Sequence, residues 1–191
     1  MRALLLVALT PAWTLAQTVP RETKIVPSEQ AAYQQALTLY NTQLDTLRAA
    51  ATKAVRAEAL REGSEACPKA STTYAYNLCL AHEVTLTEAN YKAFTAALRA
   101  MLALPEPERP GAAYPLSGPS GPEATPATST AAFDKSEVAW RAYATAQCDA
   151  VDVQWRGGTI VNSMVHQCSI RQTRSRLHEL DTAYSEILHQ H

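Results

Sequence analysis

Apolar residues recur at helical spacing in four stretches of the chain, and nowhere do they alternate with polar ones for long enough to predict a strand. In the first stretch Tyr33, Leu37, Tyr40, Leu44, Leu47, Ala51 and Ala54 step by 4, 3, 4, 3, 4 and 3 residues. Gln, Asn, Thr and Arg fill the other faces, which makes a heptad stripe on one long helix. Pro27-Ser28 predicts its start, with Ser28 as the cap, and Gly63 its end. A stripe of this kind packs on the rest of its own domain or on a second copy of itself. The mixture of Ala, Leu and Tyr favours the first; self-association through residues 33–54 is the alternative.

The second stretch has Ser71 or Thr72 as its cap and carries Tyr76, Leu80, Leu86, Phe94, Leu98, Met101 and Leu102. In the third, Asp134-Lys135-Ser136-Glu137 has the spacing of a capping box, and Trp140, Ala144, Cys148, Val151 and Trp155 share a face. The glycine pair in Arg156-Gly157-Gly158-Thr159 predicts a turn. A fourth helix follows from Ile160 to about Leu188, with Ile170, Thr173, Leu177, Leu180, Tyr184 and Ile187 stepping 3, 4, 3, 4, 3. Val161, Val165 and Cys168 lie on another face, which predicts a bend near Cys168. Residues 104–131 hold seven of the eleven prolines and half of the six glycines, so they read as an irregular, flexible connection. The fold class is therefore all-α: a bundle of about four helices with a long Pro-rich loop.

The first sixteen residues change how the rest is read. Arg2 is followed by an apolar run too short to span a bilayer, then by Pro11 and small residues suited to cleavage. Residues 1–16 are thus expected to be a signal peptide, and the protein to be exported to a periplasmic or extracellular space. No later segment approaches the length of a membrane helix. Outside the cytosol, Cys67, Cys79, Cys148 and Cys168 read as a disulfide framework. Four cysteines allow three connectivities, and the spacing alone does not select one. Pairing nearest neighbours would keep each bridge within its own half and add about 3 kcal/mol per bridge on a chain-entropy basis. Without the leader the acids outnumber Lys and Arg by 18 to 16, which excludes the basic footprint of a nucleic-acid binder.

Catalytic chemistry is not indicated. His82-Glu83 lacks the second histidine of a metalloprotease helix, and the chain has no CxxC, GxSxG, phosphate loop or dinucleotide fingerprint. His166 beside Cys168, and His189 with His191, are poor zinc candidates where disulfides are available. No catalytic, cofactor or metal residue is assigned, and the protein is expected not to be an enzyme.

The cysteine segments carry a more specific signal. Cys67, Ala70, Thr72, Thr73, Asn77 and Cys79 resemble the C..A.TT...N.C opening of the lysozyme inhibitor LprI-like N-terminal domain family. Trp140, Tyr143 and Cys148 reproduce its W..[FY]....C element, and Gly157 and Gly158 keep its spacing to Cys168. Thr173, Arg174, Arg176 and Leu180 fit its C....TR.R...L element. The resemblance runs over 67–188, with 104–131 as an enlarged insertion and 17–66 as an added N-terminal helical segment. It departs from the family at Ala144-Thr145, where members commonly carry Arg-Asp, and around Thr87–Thr95.

The resemblance implies that the cysteines are structural staples and that the target is a protein, lysozyme by the family's name. Trp140, Tyr143 and Leu180 are most simply core, Gly157-Gly158 a tight turn with positive φ, and Arg174 and Arg176 partners of helix carbonyls or of acids such as Glu179. An inhibitor must present a donor to the carboxylates of the sugar cleft, and Arg156-Gly157-Gly158-Thr159 is the turn best suited to it. A non-enzymatic scaffold of the cell envelope, acting through helical faces, is the competing reading; a metal or small-molecule sensor has little support.

Overall fold

A computed structural model describes residues 26–64, 67–111 and 124–189 of the chain. The expected leader and the middle of the Pro-rich segment lie outside them. Among the described residues there is no strand, and the fold is all-α.

Helix α1 spans Pro27–Glu62. Proline at its first position has its φ already set, and its missing N–H is one the helix would leave unpaired there. Val26 holds the cap position and no side chain caps the end, so Ser28 lies inside the helix instead of before it. Gly63 ends it, as expected. Helix α2, Thr73–Ala103, is capped by Thr72, whose hydroxyl accepts from the Ala75 N–H at 3.1 Å.

Helix α3 spans Pro126–Trp155 and begins before the expected box at Asp134. Thr125 and Thr128 cap each other reciprocally with Pro126 at the first position, so residues 126–131, expected to be irregular, are helical. A proline that reads as a breaker is here a starter. Asp134, already inside α3, makes a two-pronged pair with Arg99 of α2 at 2.7 and 2.8 Å. Helix α4, Val161–Ala183, runs unbroken through Cys168, without the expected bend. The break comes later, at Tyr184, and a short α5, Ser185–His189, turns back so that Leu188 is buried and Ile187 accepts from Arg48 of α1 at 2.7 Å.

The long helices run up and down in sequence. α2 and α4 form the middle, α1 lies against α2 on one flank, and α3 lies against α4 and α2 on the other. Leu44, Ala51 and Ala54 of α1 are buried, with Tyr40 and Leu47 packed beside them, so most of the heptad stripe is used within the chain's own core. α2 contributes Tyr91, Phe94, Leu98 and Met101, α3 contributes Phe133, and α4 contributes Leu177 and Leu180. The bond from Thr87 to Glu58 sets an antiparallel register that brings small Ala51 level with fully buried Phe94, letting the two helices approach closely.

Two disulfides close one end of the bundle. Cys67–Cys79 ties the incoming chain to the start of α2, and Cys148–Cys168 ties the end of α3 to the start of α4, with Cα–Cα distances of 5.9 and 5.7 Å. This is the nearest-neighbour pairing. Cys67 itself sits at φ 62°, a left-handed conformation that costs a non-glycine residue about 1 kcal/mol and that the surrounding turn must hold. Replacing both members of either pair with serine is expected to lower unfolding free energy by about 3 kcal/mol, read by urea denaturation of the oxidised protein.

Candidate functional site

Polar groups in the bundle interior are concentrated in two clusters. The α1 stripe that ends at Ala54 reaches position 58 at its next step, and there the residue is a glutamate. Glu58 is 2% exposed. Its carboxylate accepts from Thr87 and Asn90 of α2 at 2.8 Å each and from Arg174 of α4 at 2.7 Å. Arg61, one step further along the stripe, lies 3.7 Å from Glu58 and pairs with Glu83 of α2. Burial alone would push the Glu58 carboxyl up. The hydrogen bonds from Asn90, Arg174 and Thr87, with the charge of Arg174, outweigh burial and hold it below the ordinary value of 4.5.

The second cluster mirrors the first on the opposite flank. Glu137 of α3 is buried and accepts from Arg176 of α4 at 2.8 and 3.1 Å and from the Tyr91 hydroxyl of α2. Arg176 also donates to Ser136 at 3.1 Å and pairs with Glu179 at 3.0 Å. Burial and the negative neighbour push the Tyr91 phenol above its ordinary range, so it remains a donor. Trp140 packs on Tyr91 with ring centroids 5.0 Å apart. Arg174 and Arg176 therefore do structural work, each neutralising an acid from a different helix. Asn77 does likewise, accepting from Ser163 across α2 and α4.

The accessible chemistry lies at the stapled end. Arg156-Gly157-Gly158-Thr159 joins α3 to α4 and is exposed throughout. The turn closes through Gly158 N–H to Trp155 C=O at 3.0 Å and Val161 N–H to Gly158 C=O at 3.4 Å. Gly157 takes φ +85°, which only glycine adopts without strain, and a Cβ on Gly158 would meet the Trp155 carbonyl at 3.1 Å. Arg156 is held along the helix by Asp152 at 2.8 Å, both exposed. Trp155 and Ile160 flank the turn at 36% and 40% exposure, and Val153, Tyr74 and Leu78 are more exposed still. The end thus combines the basic Arg156 with an uncovered apolar rim on a covalently fixed frame.

The structure places the motif residues unequally. Leu180 is core; Trp140, expected in the core, is half-buried at its edge, and Tyr143 is 56% exposed on the outer face of α3. One turn separates it from Trp140, but α4 and α2 cover only the inner side of α3. Thr173 borders a cleft beside Trp140. Glu58 carries no expectation from the sequence, and Glu137, expected to close a capping box with Asp134, lies inside α3 and pairs with Arg176 instead, though a signal existed for each. Glu58 continues the α1 stripe, and Glu137 falls on the Phe133–Trp140–Cys148 face, where a charged residue must find a partner. Among the described residues no group of three His, Cys, Asp or Glu side chains comes together as a metal site, and no helix is long and apolar enough to cross a membrane.

Replacing Glu58 with alanine leaves the half-buried Arg174 without its acid and Thr87 without its acceptor, and is expected to cost about 3 kcal/mol. Because its folded pKa is depressed, the stability Glu58 contributes is complete above its ordinary pKa and is lost as pH falls through the folded value. Glu58→Gln should therefore give a flatter stability profile than the parent below pH 4.5, read by denaturant unfolding across that range.

A family model described as lysozyme inhibitor LprI matches residues 63–180, which span both disulfides, the turn and the paired arginines. No curated protein and no solved structure matches the chain.

Proposed function

Since the chain belongs to the lysozyme inhibitor LprI family, we propose that it is an exported, non-enzymatic binding protein that inhibits a lysozyme through the disulfide-stapled end of its bundle. The observation that carries this reading is the exposed Arg156 turn held on a frame with two disulfides. A lysozyme cleft presents two carboxylates, and a guanidinium offers them a planar fork of donors. The Arg156–Asp152 pair is exposed and worth at most about 1 kcal/mol, so Arg156 is released at small cost. Trp155 and Ile160 supply the apolar anchors that interface centres use, and the staples spare the entropy of ordering the turn on binding. Both disulfides fit an oxidising compartment, in agreement with export.

The near-neutral charge assigns the interaction little long-range steering, so its association rate should depend weakly on salt. A second reading, a cell-envelope scaffold acting through a helical face, draws on the exposed Val138, Tyr143 and Val153 of α3. The two separate by mutation.

Oxidised protein titrated into cell-wall lysis by a basic animal-type lysozyme is expected to inhibit in proportion to its concentration. Arg156→Ala should weaken inhibition about tenfold or more, and Tyr143→Ala should not. Absence of inhibition by folded protein in excess would remove the inhibitor reading. Inhibition untouched by Arg156→Ala would keep the function and move the contact surface elsewhere.

A further inference from the structure

A cleft of about 380 Å³ opens between α2, α3 and α4, on the flank of the bundle and apart from the Arg156 turn. Its volume is at the small end of the range found for ligand sites. Trp140, half-buried, forms the aromatic wall, and the buried Tyr91 backs it with its ring plane 42° away. Tyr91 is 2% exposed and its hydroxyl is committed to Glu137, so it holds the indole in place and the surface open to a ligand is that of Trp140. The guanidinium of Arg141 lies over both rings, 5.8 Å from the Tyr91 centroid and 6.0 Å from that of Trp140. Along the α3 wall the residues after Tyr143 are Ala144 and Thr145, small side chains that leave the space open. Cys148 of the α3–α4 disulfide also lines the cleft, so two of its walls are joined covalently and the space exists before any ligand arrives.

The rim decides what fits. Among the described residues Arg141 and Asp149 make no ion pair, and Lys92 makes a loose one with Glu88 at 3.9 Å. Arg141 and Asp149 stand eight residues apart on α3, about 12 Å along its axis. The two cations and two acids around the opening cancel, so neither an anion nor a cation is favoured over its opposite. Gln172 and Thr173 of α4, with Thr145 of α3, also line the space and add amide and hydroxyl groups that both donate and accept. An uncharged ligand dense in hydroxyls, with an apolar C–H face to lie on an indole, satisfies this combination. We propose that the cleft walled by Trp140, Arg141 and Thr145 is a saccharide-binding site that takes one or two neutral pyranose rings.

The experiment is an NMR titration of the oxidised protein with neutral disaccharides (N,N′-diacetylchitobiose, cellobiose and maltose), alongside glucuronate and glucosamine as charged controls. At least one neutral sugar is expected to shift the Trp140 indole signal saturably, with half-saturation below about 10 mM, while Trp155 at the distant turn stays unmoved. Ala144→Arg, which fills the cleft, should weaken that binding about tenfold or more while preserving the circular dichroism spectrum. If that variant does not fold, Thr145→Lys, at an exposed position on the same wall, makes the same test. No response to any neutral sugar, a response at Trp155 instead of Trp140, a preference for either charged control, or binding indifferent to the filling substitution would each overturn the proposal. Because the readout is sugar binding and not lysozyme inhibition, it stands or falls independently of the inhibitor reading.

Discussion

Two arginines on one helix hold two helices that do not hold each other. Arg174 and Arg176 are two residues apart on α4, so their side chains leave it about 200° apart and reach opposite flanks. One meets Glu58 on α1, the other Glu137 on α3, and α2 completes both clusters through Thr87, Asn90 and Tyr91. Buried ion pairs add little net stability over a well-packed apolar core, because removing four charges from water nearly offsets their attraction. Their effect here is on register. Sliding α1 or α3 by one turn would strand an acid and an arginine in the interior, a penalty that no slip of the leucine and alanine contacts alone would impose.

The rest of the architecture divides labour along the bundle axis. At one end Phe133, Tyr184 and Leu188 close an apolar plug, with α5 folded back and tied to α1 through Arg48. The polar clusters occupy the middle. At the other end disulfides take over from packing, and there large apolar side chains remain uncovered. A surface that exposes Trp155, Ile160 and Tyr74 contributes nothing to its own hydrophobic core, so covalent bonds must supply what burial does not. That trade leaves a covalently braced end with its apolar rim exposed.

Much of this was legible in the sequence, for identifiable reasons. The four long helices, the Thr72 cap, the Gly63 stop and the glycine turn follow from local rules that tertiary context did not override, whereas the break at Tyr184 that makes α5 carried no such signal. The start of α3 was misread because proline has opposite meanings at a helix's first position and in its interior, and the run of prolines before it hid which applied. Tyr143 was misassigned because an aromatic at motif spacing says nothing about how many neighbours its helix has. The acids escaped for different reasons. Charge is usually read as solvent exposure, which hides Glu58 until the heptad frame is carried through it, and Glu137 fits the spacing of a helix cap, which hides its place on the buried face. The inner motif was visible; its counterparts on the flanks required the fold.

Neither disulfide reaches α1. Both closed loops begin at Cys67 or later, so the first helix joins the rest of the covalent network through a single strand of backbone after Gly63. Seen as a binding reaction, α1 is a ligand of its own domain, kept at high effective concentration by a tether of a few residues. Hydrolysis of the one peptide bond between Gly63 and Ser64 would end that advantage at a stroke. The association would become bimolecular, and where α1 left, the guanidinium of Arg174 would lose Glu58 and face solvent.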